Sequence, residues 1–236
     1  MNSVGAPFED DRYSYSTQAL ARLVLSELMS EVADHAASLV PTIGDDDDRA
    51  GEMVEAARGL LSMAQEALVR AVLYERSRHT SWEEIGEVLE ITRQSAHARF
   101  REDEREWKEA LQEPFYEPTG RIRNLRLPEA AYQPTTTGQR LDKWAAKHCD
   151  EDERSVTSGL PELSVLEEMN QVLAALNHLY IDREMFSPID QDKQARLLDR
   201  KAALLDRIAT EEGRPEAAGQ AAEARARAAE LRAQHN

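Results

Sequence analysis

The chain has 236 residues, which is enough for one large domain or two small ones. Hydrophobic residues make up 41% of it, so a packed core is possible, and the single cysteine, Cys149, excludes an internal disulfide framework. The formal net charge of -16 at pH 7 disfavours binding to a polyanion, because such proteins usually carry a basic surface.

Ala, Leu, Glu and Arg dominate the composition, and these residues favour helices, so we expect an all-α protein. Only five of the 29 basic residues are lysines, a bias that is typical of a high-GC genome such as that of an actinobacterium. The N-terminus lacks the pattern of a signal peptide, and no apolar run is long enough to cross a bilayer. We therefore expect a cytoplasmic, nucleoid-associated protein that does not contact membranes.

The first predicted division, residues 1–48, is an acidic segment with one amphipathic helix. Ser16 or Thr17 can cap that helix, which is expected to run to about Leu39. Its apolar residues share one stripe at helical spacing: Leu20, Leu23, Val24, Leu28 and Val32. The acidic run at 45–48 lacks the ligand spacing of a calcium loop, and we interpret it as a solvated turn.

The second predicted division, residues 49–113, opens with a long helix from about Gly51 to Arg78. A continuous apolar face follows that helix: Met53, Ala57, Leu60, Leu61, Ala64, Leu68, Ala71 and Val72. A helix of this length often packs on its equivalent in a second subunit, and packing within the chain is equally allowed.

Residues 81–100 then have the layout of a helix-turn-helix. Thr80 or Ser81 caps a short helix, with Glu83 or Glu84 at the distance of a capping box. A tight turn follows at 90–91, and a second helix starts at Thr92. The inner face is predicted to contain Trp82, Ile85, Leu89, Ile91, Ala96 and Phe100, with the small Gly86 where the two helices cross.

The outer face of the second helix exposes Arg93, Gln94 and His97. Arg can bond bidentately to guanine and Gln to adenine, whereas a histidine can donate to a base edge or a phosphate. Nearby polar residues are expected to hold phosphates: Arg76, Arg78, Thr80, Ser81, Thr92, Ser95 and Arg101. The alternative is a tight helical hairpin that is merely part of an all-α core.

Within about residues 76–101 the chain contains the pattern Ser-Trp-x-Glu-Ile-Gly, Ile-Thr-Arg-Gln and Arg-Phe. This pattern resembles region 4 of bacterial sigma factors. It is more similar still to small actinobacterial DNA-binding regulators. The resemblance implies that Arg93, Gln94, His97 and Ala98 read bases. Glu90 departs from the pattern, because Gly is usual in that turn; a left-handed backbone there costs another residue about 1 kcal/mol. Its negative charge also weakens binding near the DNA backbone.

The acidic residues lie mostly at the two ends of the chain. Up to residue 50, ten acids face three bases, and from 149 to the end eighteen acids face eleven bases. Between 91 and 101 there are three arginines and no acid. The distribution fits a basic reading surface with acidic flanks, and it fits an ordinary soluble surface equally well.

The third predicted division, residues 114–158, is a Pro-rich linker or arm followed by a short helix from Gln139 to His148. The basic strip that includes Arg121 and Arg123 has two interpretations of equal weight. It lies along phosphates or in the minor groove, or it packs its apolar residues on the domain.

The fourth predicted division, residues 159–236, is a helical hairpin and a tail. The first helix has a seam with a 3.5-residue rhythm: Leu166, Met169, Leu173, Leu176 and Tyr180. The second helix aligns Leu198, Ala202, Leu205 and Ile208. The last segment, from Glu216, is expected to be helical or fraying and to bury little. The sequence leaves open whether the hairpin pairs within or between chains.

Together these features predict a sequence-specific DNA-binding protein, a transcriptional regulator that acts as a dimer on double-stranded DNA. RNA polymerase or another protein is a further partner through the acidic helical ends. We expect no enzyme activity, no cofactor and no metal, since Cys149 beside His148 has no second cysteine to complete a zinc site. The alternatives are a sigma-like adaptor that contacts the transcription machinery, and a plasmid or phage maintenance protein.

Overall fold

The computed structural model describes residues 14–41, 49–112, 127–149, 155–185 and 191–235. No strand occurs in these ranges, which confirms the all-α prediction. The chain divides into two compact units, one of residues 1–111 and 117–161 and the other of residues 112–116 and 162–236. The first unit brings together helices that the sequence analysis divided among three ranges.

The first unit contains six helices within the described ranges, followed by a 3-10 turn at Thr157–Gly159. Their bounds are α1 Thr17–Ser38, α2 Glu52–Ser77, α3 Trp82–Val88, α4 Arg93–Gln112, α5 Glu129–Tyr132 and α6 Pro134–His148. None of the helices described in either unit combines the length and the apolar character that a membrane span requires.

Helix α1 starts and ends close to the predicted bounds. The Ser16 side chain accepts a hydrogen bond of 3.0 Å from the Ala19 backbone N–H, so Ser16 is the cap. The N-terminal half of α1 is buried against α2, α5 and α6 through Ala19, Leu20, Ala21, Leu23, Val24 and Leu25. The C-terminal half is largely exposed, although Leu28 and Val32 are half-buried.

Helices α1 and α2 form an antiparallel pair. The Arg22 guanidinium lies 5.7 Å from the centre of the Tyr74 ring, and a Cβ on Gly59 would lie 3.7 Å from His35 Nε2. Among the described residues, the predicted apolar face of α2 is covered towards its C-terminus, where Val72 is buried. Towards the N-terminus Leu60 is half-buried, and the other face residues are exposed.

Helix α6 begins five residues before the predicted start at Gln139. Pro134 occupies its first turn, where a backbone N–H would have no partner within the helix, so that its absence loses no hydrogen bond. Thr137 and Gly138 belong to the helix and are buried. The weak helix formers of this stretch suggested an irregular arm, but packing against α1 outweighs their propensity. The arm itself, including Arg121 and Arg123, lies outside the described residues.

A carboxylate on α6 holds the 3-10 turn in place. Asp142 Oδ1 accepts hydrogen bonds from the backbone N–H groups of Val156 (2.6 Å) and Thr157 (3.0 Å) and from the Ser155 hydroxyl (2.9 Å). Partial burial raises the pKa of the Asp142 carboxyl, but the hydrogen bonds from Thr157, Ser155 and Val156 outweigh it and leave the pKa below its usual value of 3.8.

Replacing Asp142 with Ala should lower the free energy of unfolding of the first unit by about 1 kcal/mol, as the loss of a helix cap does. Because the pKa of Asp142 is lowered in the folded state, its contribution is complete above pH 3.8 and is lost as the pH falls through the folded pKa. Urea unfolding of both proteins at several pH values measures this difference. A gap that persists unchanged at the most acidic pH would contradict the assignment.

The second unit contains α7 Val165–Met185, α8 Gln191–Glu211 and α9 Pro215–His235. The expected tail is a full helix with a buried stripe, so the expectation that it buries little was wrong. Alanines repeat at spacings of four and three along α9 and let it lie close against α8: Ala217, Ala221, Ala224 and Ala228. Ion pairs from Arg225 to Asp206 and from Arg232 to Asp199 flank this contact.

The predicted seam of α7 is only partly correct. Met169 and Leu176 are buried against α8 of the same chain, whereas Leu166 and Leu173 are 72% and 43% exposed. Val172 is buried instead, because α8 meets α7 along the line that runs through Met169, Val172 and Leu176. The hairpin that the sequence left open is therefore formed within one chain.

Candidate nucleic-acid interface

Helices α3 and α4 meet at a corner, residues 81–101, that packs on the C-terminal half of α2. We call it the α3–α4 corner. Its core consists of Val72, Ile85, Ala96 and Phe100, with Leu68, Val69, Trp82, Leu89 and Ile91 half-buried around them. The predicted inner face is confirmed, and it fixes which side of α4 points outward.

A capping box starts α3. The Ser81 hydroxyl accepts from the Glu84 N–H (3.2 Å), and the Glu84 carboxylate accepts from the Ser81 N–H (2.7 Å). This backbone hydrogen bond lowers the pKa of Glu84. The Thr80 hydroxyl donates to the Glu75 carboxylate instead, so Ser81 and not Thr80 is the cap.

The turn between the two helices has the strained backbone that the sequence predicted. Glu90 has φ of 55°, the left-handed conformation that favours glycine. The Ile91 N–H donates to the Gly86 carbonyl (2.9 Å), which closes the turn. The Thr92 hydroxyl then accepts from the Ser95 N–H (3.1 Å) and caps α4.

Gly86 is the point of closest approach between α3 and the turn. A Cβ at this position would lie 2.8 Å from the Ile91 carbonyl oxygen and 3.3 Å from the Arg93 nitrogen. Both are backbone atoms, which cannot move away as the end of a side chain can. The corner therefore excludes even the smallest side chain here.

Replacing Gly86 with Ala should destabilise the first unit by about 1–3 kcal/mol, the usual cost of overpacking. Gly59→Ala is the matched control, because Gly59 is also inside a helix of this unit and its Cβ would meet nothing closer than 3.7 Å. That control should gain about 0.5–1 kcal/mol from helix propensity. Urea unfolding followed by tryptophan fluorescence reports on this unit alone, since all three tryptophans lie in it. Equal effects of the two substitutions would refute the close approach.

The predicted base-reading residues lie together on the first two turns of α4. Arg93, Gln94, His97 and Ala98 are all exposed. The His97 ring packs edge-on against Trp82, with ring centres 5.5 Å apart, which restricts its motion. Within the described ranges no carboxylate lies within ion-pair distance of Arg93.

Among the predicted phosphate contacts, Ser95 and Arg101 on α4 and the cap residue Thr92 are also exposed. Arg101 has no ion-pair partner among the residues that the structure describes. The Thr92 and Ser95 hydroxyls bond to each other (2.9 Å). Together with Arg93, Gln94 and His97, these groups make the exposed side of the first turns of α4 largely polar.

Arg76 has a structural role that the sequence analysis missed. Its Nε lies 3.2 Å from Glu104 on α4, one terminal nitrogen donates to the Thr80 carbonyl (2.6 Å), and its guanidinium is 4.6 Å from the centre of the Trp82 ring. One side chain thus ties α2, α3 and α4 together. The contact joins positions 28 residues apart, and helical periodicity gives no sign of it.

The remaining predicted phosphate contacts are already engaged within the protein. Arg78 pairs with Glu75 at 3.0 Å, Thr80 is half-buried beside the same carboxylate, and Ser81 belongs to the capping box.

Partial burial raises the pKa of Glu104, but the hydrogen bond from Lys108 and the charge of Arg76 outweigh it and leave that pKa lowered.

The exposed side of α3 is strongly acidic, which the charge counts did not reveal. Glu83, Glu84 and Glu87 all face solvent beside Val88, which is 82% exposed. The signal was present in the sequence as three glutamates within seven residues.

No group of three His, Cys, Asp or Glu side chains is placed to hold a metal ion in the ranges that the structure describes. No protein-family model, curated protein or solved structure matches the chain.

Proposed function

We propose that this chain is a sequence-specific DNA-binding protein, a transcriptional regulator that uses the α3–α4 corner as a helix-turn-helix. The observation that carries the proposal is the exposed group of Arg93, Gln94 and His97 at the start of α4. The opposite side of that helix is anchored in a core by Ala96 and Phe100. The side chains that can read bases therefore project from a rigid support.

In the proposed mechanism the N-terminal half of α4 enters the major groove. Arg93 donates to guanine, Gln94 bonds to adenine, and His97 is steered towards a base edge by its contact with Trp82. Arg101 and the exposed N-terminal end of α4 at Thr92 hold phosphates of the DNA backbone on the two sides of the groove. A dimer places two such helices in successive grooves, about 34 Å apart, at the nucleoid.

The Arg76 contacts support this assignment indirectly. A recognition helix must be held in one orientation, since a small displacement separates side chains from base edges. Arg76 and Glu104 fix α4 against α2, with side chains that are 22% and 12% exposed. Arg76 is therefore a positioning residue in the proposed interface.

Arg93→Ala and Gln94→Ala should each reduce affinity for the cognate site by about tenfold to a hundredfold, since a bidentate base contact contributes about 1–3 kcal/mol of discrimination. The site is first found by sequencing genomic fragments that the protein retains at physiological salt. Fluorescence anisotropy then measures each variant on the site and on a scrambled duplex.

Arg58→Ala is the control for lost charge, because Arg58 is an exposed arginine of the same unit on α2. It should change affinity by less than about threefold. Unchanged binding by both Arg93→Ala and Gln94→Ala would refute the base-reading role. Retained fragments that form clustered arrays, instead of a recurring short inverted repeat, would indicate plasmid or phage maintenance.

A sigma-like adaptor is the second candidate, and the acidic side of α3 favours it. In a helix-turn-helix the first helix crosses the DNA backbone, where Glu83 and Glu87 would repel phosphates. The same carboxylates around the exposed Val88 suit a basic protein surface on the transcription machinery.

The double variant Glu83→Gln/Glu87→Gln separates the two candidates. If the corner binds DNA, removing two negative charges should strengthen binding several-fold at low salt and less at high salt. If the corner is an adaptor, the variant should lose RNA polymerase in a pull-down with purified enzyme while DNA binding stays absent. Weaker DNA binding by this variant would contradict the proposed docking of α3.

A further inference from the structure

An apolar surface lies on the half of the α1–α2 pair that does not carry the α3–α4 corner. On each helix, exposed or half-exposed apolar residues follow one another at spacings of three or four. They are Met29, Ala33 and Ala36 on α1, Val40 just beyond its end, and Met53, Ala57, Leu61 and Ala64 on α2. We call these eight residues the hairpin face. Val40 is 75% exposed and Leu61 is 60% exposed, although both are large and apolar.

The two stripes lie on the same side of the pair. On α1 a line of half-buried residues, which includes His35, faces Gly59 on α2. Each face residue of α1, such as Ala36, comes one position after a residue of that line. On α2 the face residues Ala57 and Leu61 likewise follow a half-buried line. One residue rotates a helix position by about 100°. Each stripe is therefore rotated by about 100° from the line at which its helix contacts the other. Because α1 and α2 run in opposite directions, these two rotations have opposite senses in space, and both stripes come to lie on the same side of the pair.

We propose that the hairpin face binds a second copy of this chain, so that two α1–α2 pairs form a four-helix bundle. The face contains no charged residue, which is what the inside of a bundle requires. Along α2 its large residues alternate with alanines, and along α1 two alanines lie between Met29 and Val40. Large residues of one copy can therefore pack against alanines of the other across a two-fold axis, where one surface must complement itself.

The size of the face indicates the strength of this dimer. Twelve residues of helix are about 18 Å long, and two helices side by side are about 20 Å wide, so the footprint is roughly 360 Å² per chain. A standard stable interface covers about 800 Å² per partner. The footprint is less than half of that area, so we expect a weak, reversible dimer.

This inference deepens the dimeric action proposed above, and its biological role rests on that proposal. The same helix, α2, carries the corner near Val72 and the hairpin face near Leu61. Pairing through the face would therefore connect the two proposed recognition helices through α2.

Sedimentation velocity of the full chain without DNA, over about 1 to 100 µM, tests the pairing in the range expected for a small interface. The mass should rise with concentration from 26.6 kDa towards twice that value. Leu61→Glu should raise the dissociation constant at least tenfold, and Ala36→Glu on the other helix should do the same. Both side chains are exposed in the single chain, so the helix content by circular dichroism should stay unchanged.

Val88→Glu and Leu173→Glu are matched controls, because they place the same charge at exposed apolar positions outside the face. Neither should alter the mass. Arg93→Ala should stay dimeric, which separates a failure of DNA binding from a failure of pairing. A chain that stays monomeric up to 100 µM would overturn the proposal. So would a dimer that Leu173→Glu disrupts and Leu61→Glu does not.

Discussion

The close approach of Gly86 to the Ile91 carbonyl is the constraint on which the α3–α4 corner depends. Because Gly86 has no Cβ, the end of α3 and the start of α4 come together through backbone contacts, and Glu90 accepts a left-handed conformation to complete the turn. With that angle set, Phe100 reaches the core on α2 and the opposite side of α4 is turned to solvent. Arg76 then fixes the arrangement by bridging all three helices.

The electrostatics of the corner depend on which charges are already paired, and the net charge of the chain says little about them. Arg105 has two carboxylate partners, Glu102 and Glu109, and these raise its pKa further. Arg76 is likewise engaged by Glu104. Arg93 and Arg101 have no ion-pair partner within the described ranges, so their charges are available to a ligand. The glutamates of α3 act in the opposite direction, so under the proposed function they would weaken non-specific attraction to a polyanion.

Helix α2 serves two surfaces because its two halves have different neighbours. Its C-terminal half is covered by the α3–α4 corner and by the N-terminal half of α1, and Val72 and Leu73 are buried there. In the part of the chain that the structure describes, its N-terminal half is covered only on the side that faces α1, and Leu61 stays exposed. A helix with an apolar stripe longer than its intramolecular contact retains apolar surface that water solvates poorly. The inferred pairing of two chains removes that surface from water.

Local sequence determined the helical class, the left-handed turn at Glu90 and the inner face through Ala96 and Phe100, because each depends on residues within one or two turns. It also narrowed the caps of α1 and α3 to two neighbouring residues each, of which the structure selects Ser16 for α1 and Ser81 for α3. Only the tertiary structure decided that Arg76 bridges three helices and that α9 packs its alanines on α8. It also decided that helix α6 starts at Pro134 and that Met53 and Leu61 remain exposed. These outcomes depend on which helices become neighbours, and helical periodicity identifies the apolar side of a helix without identifying what covers it.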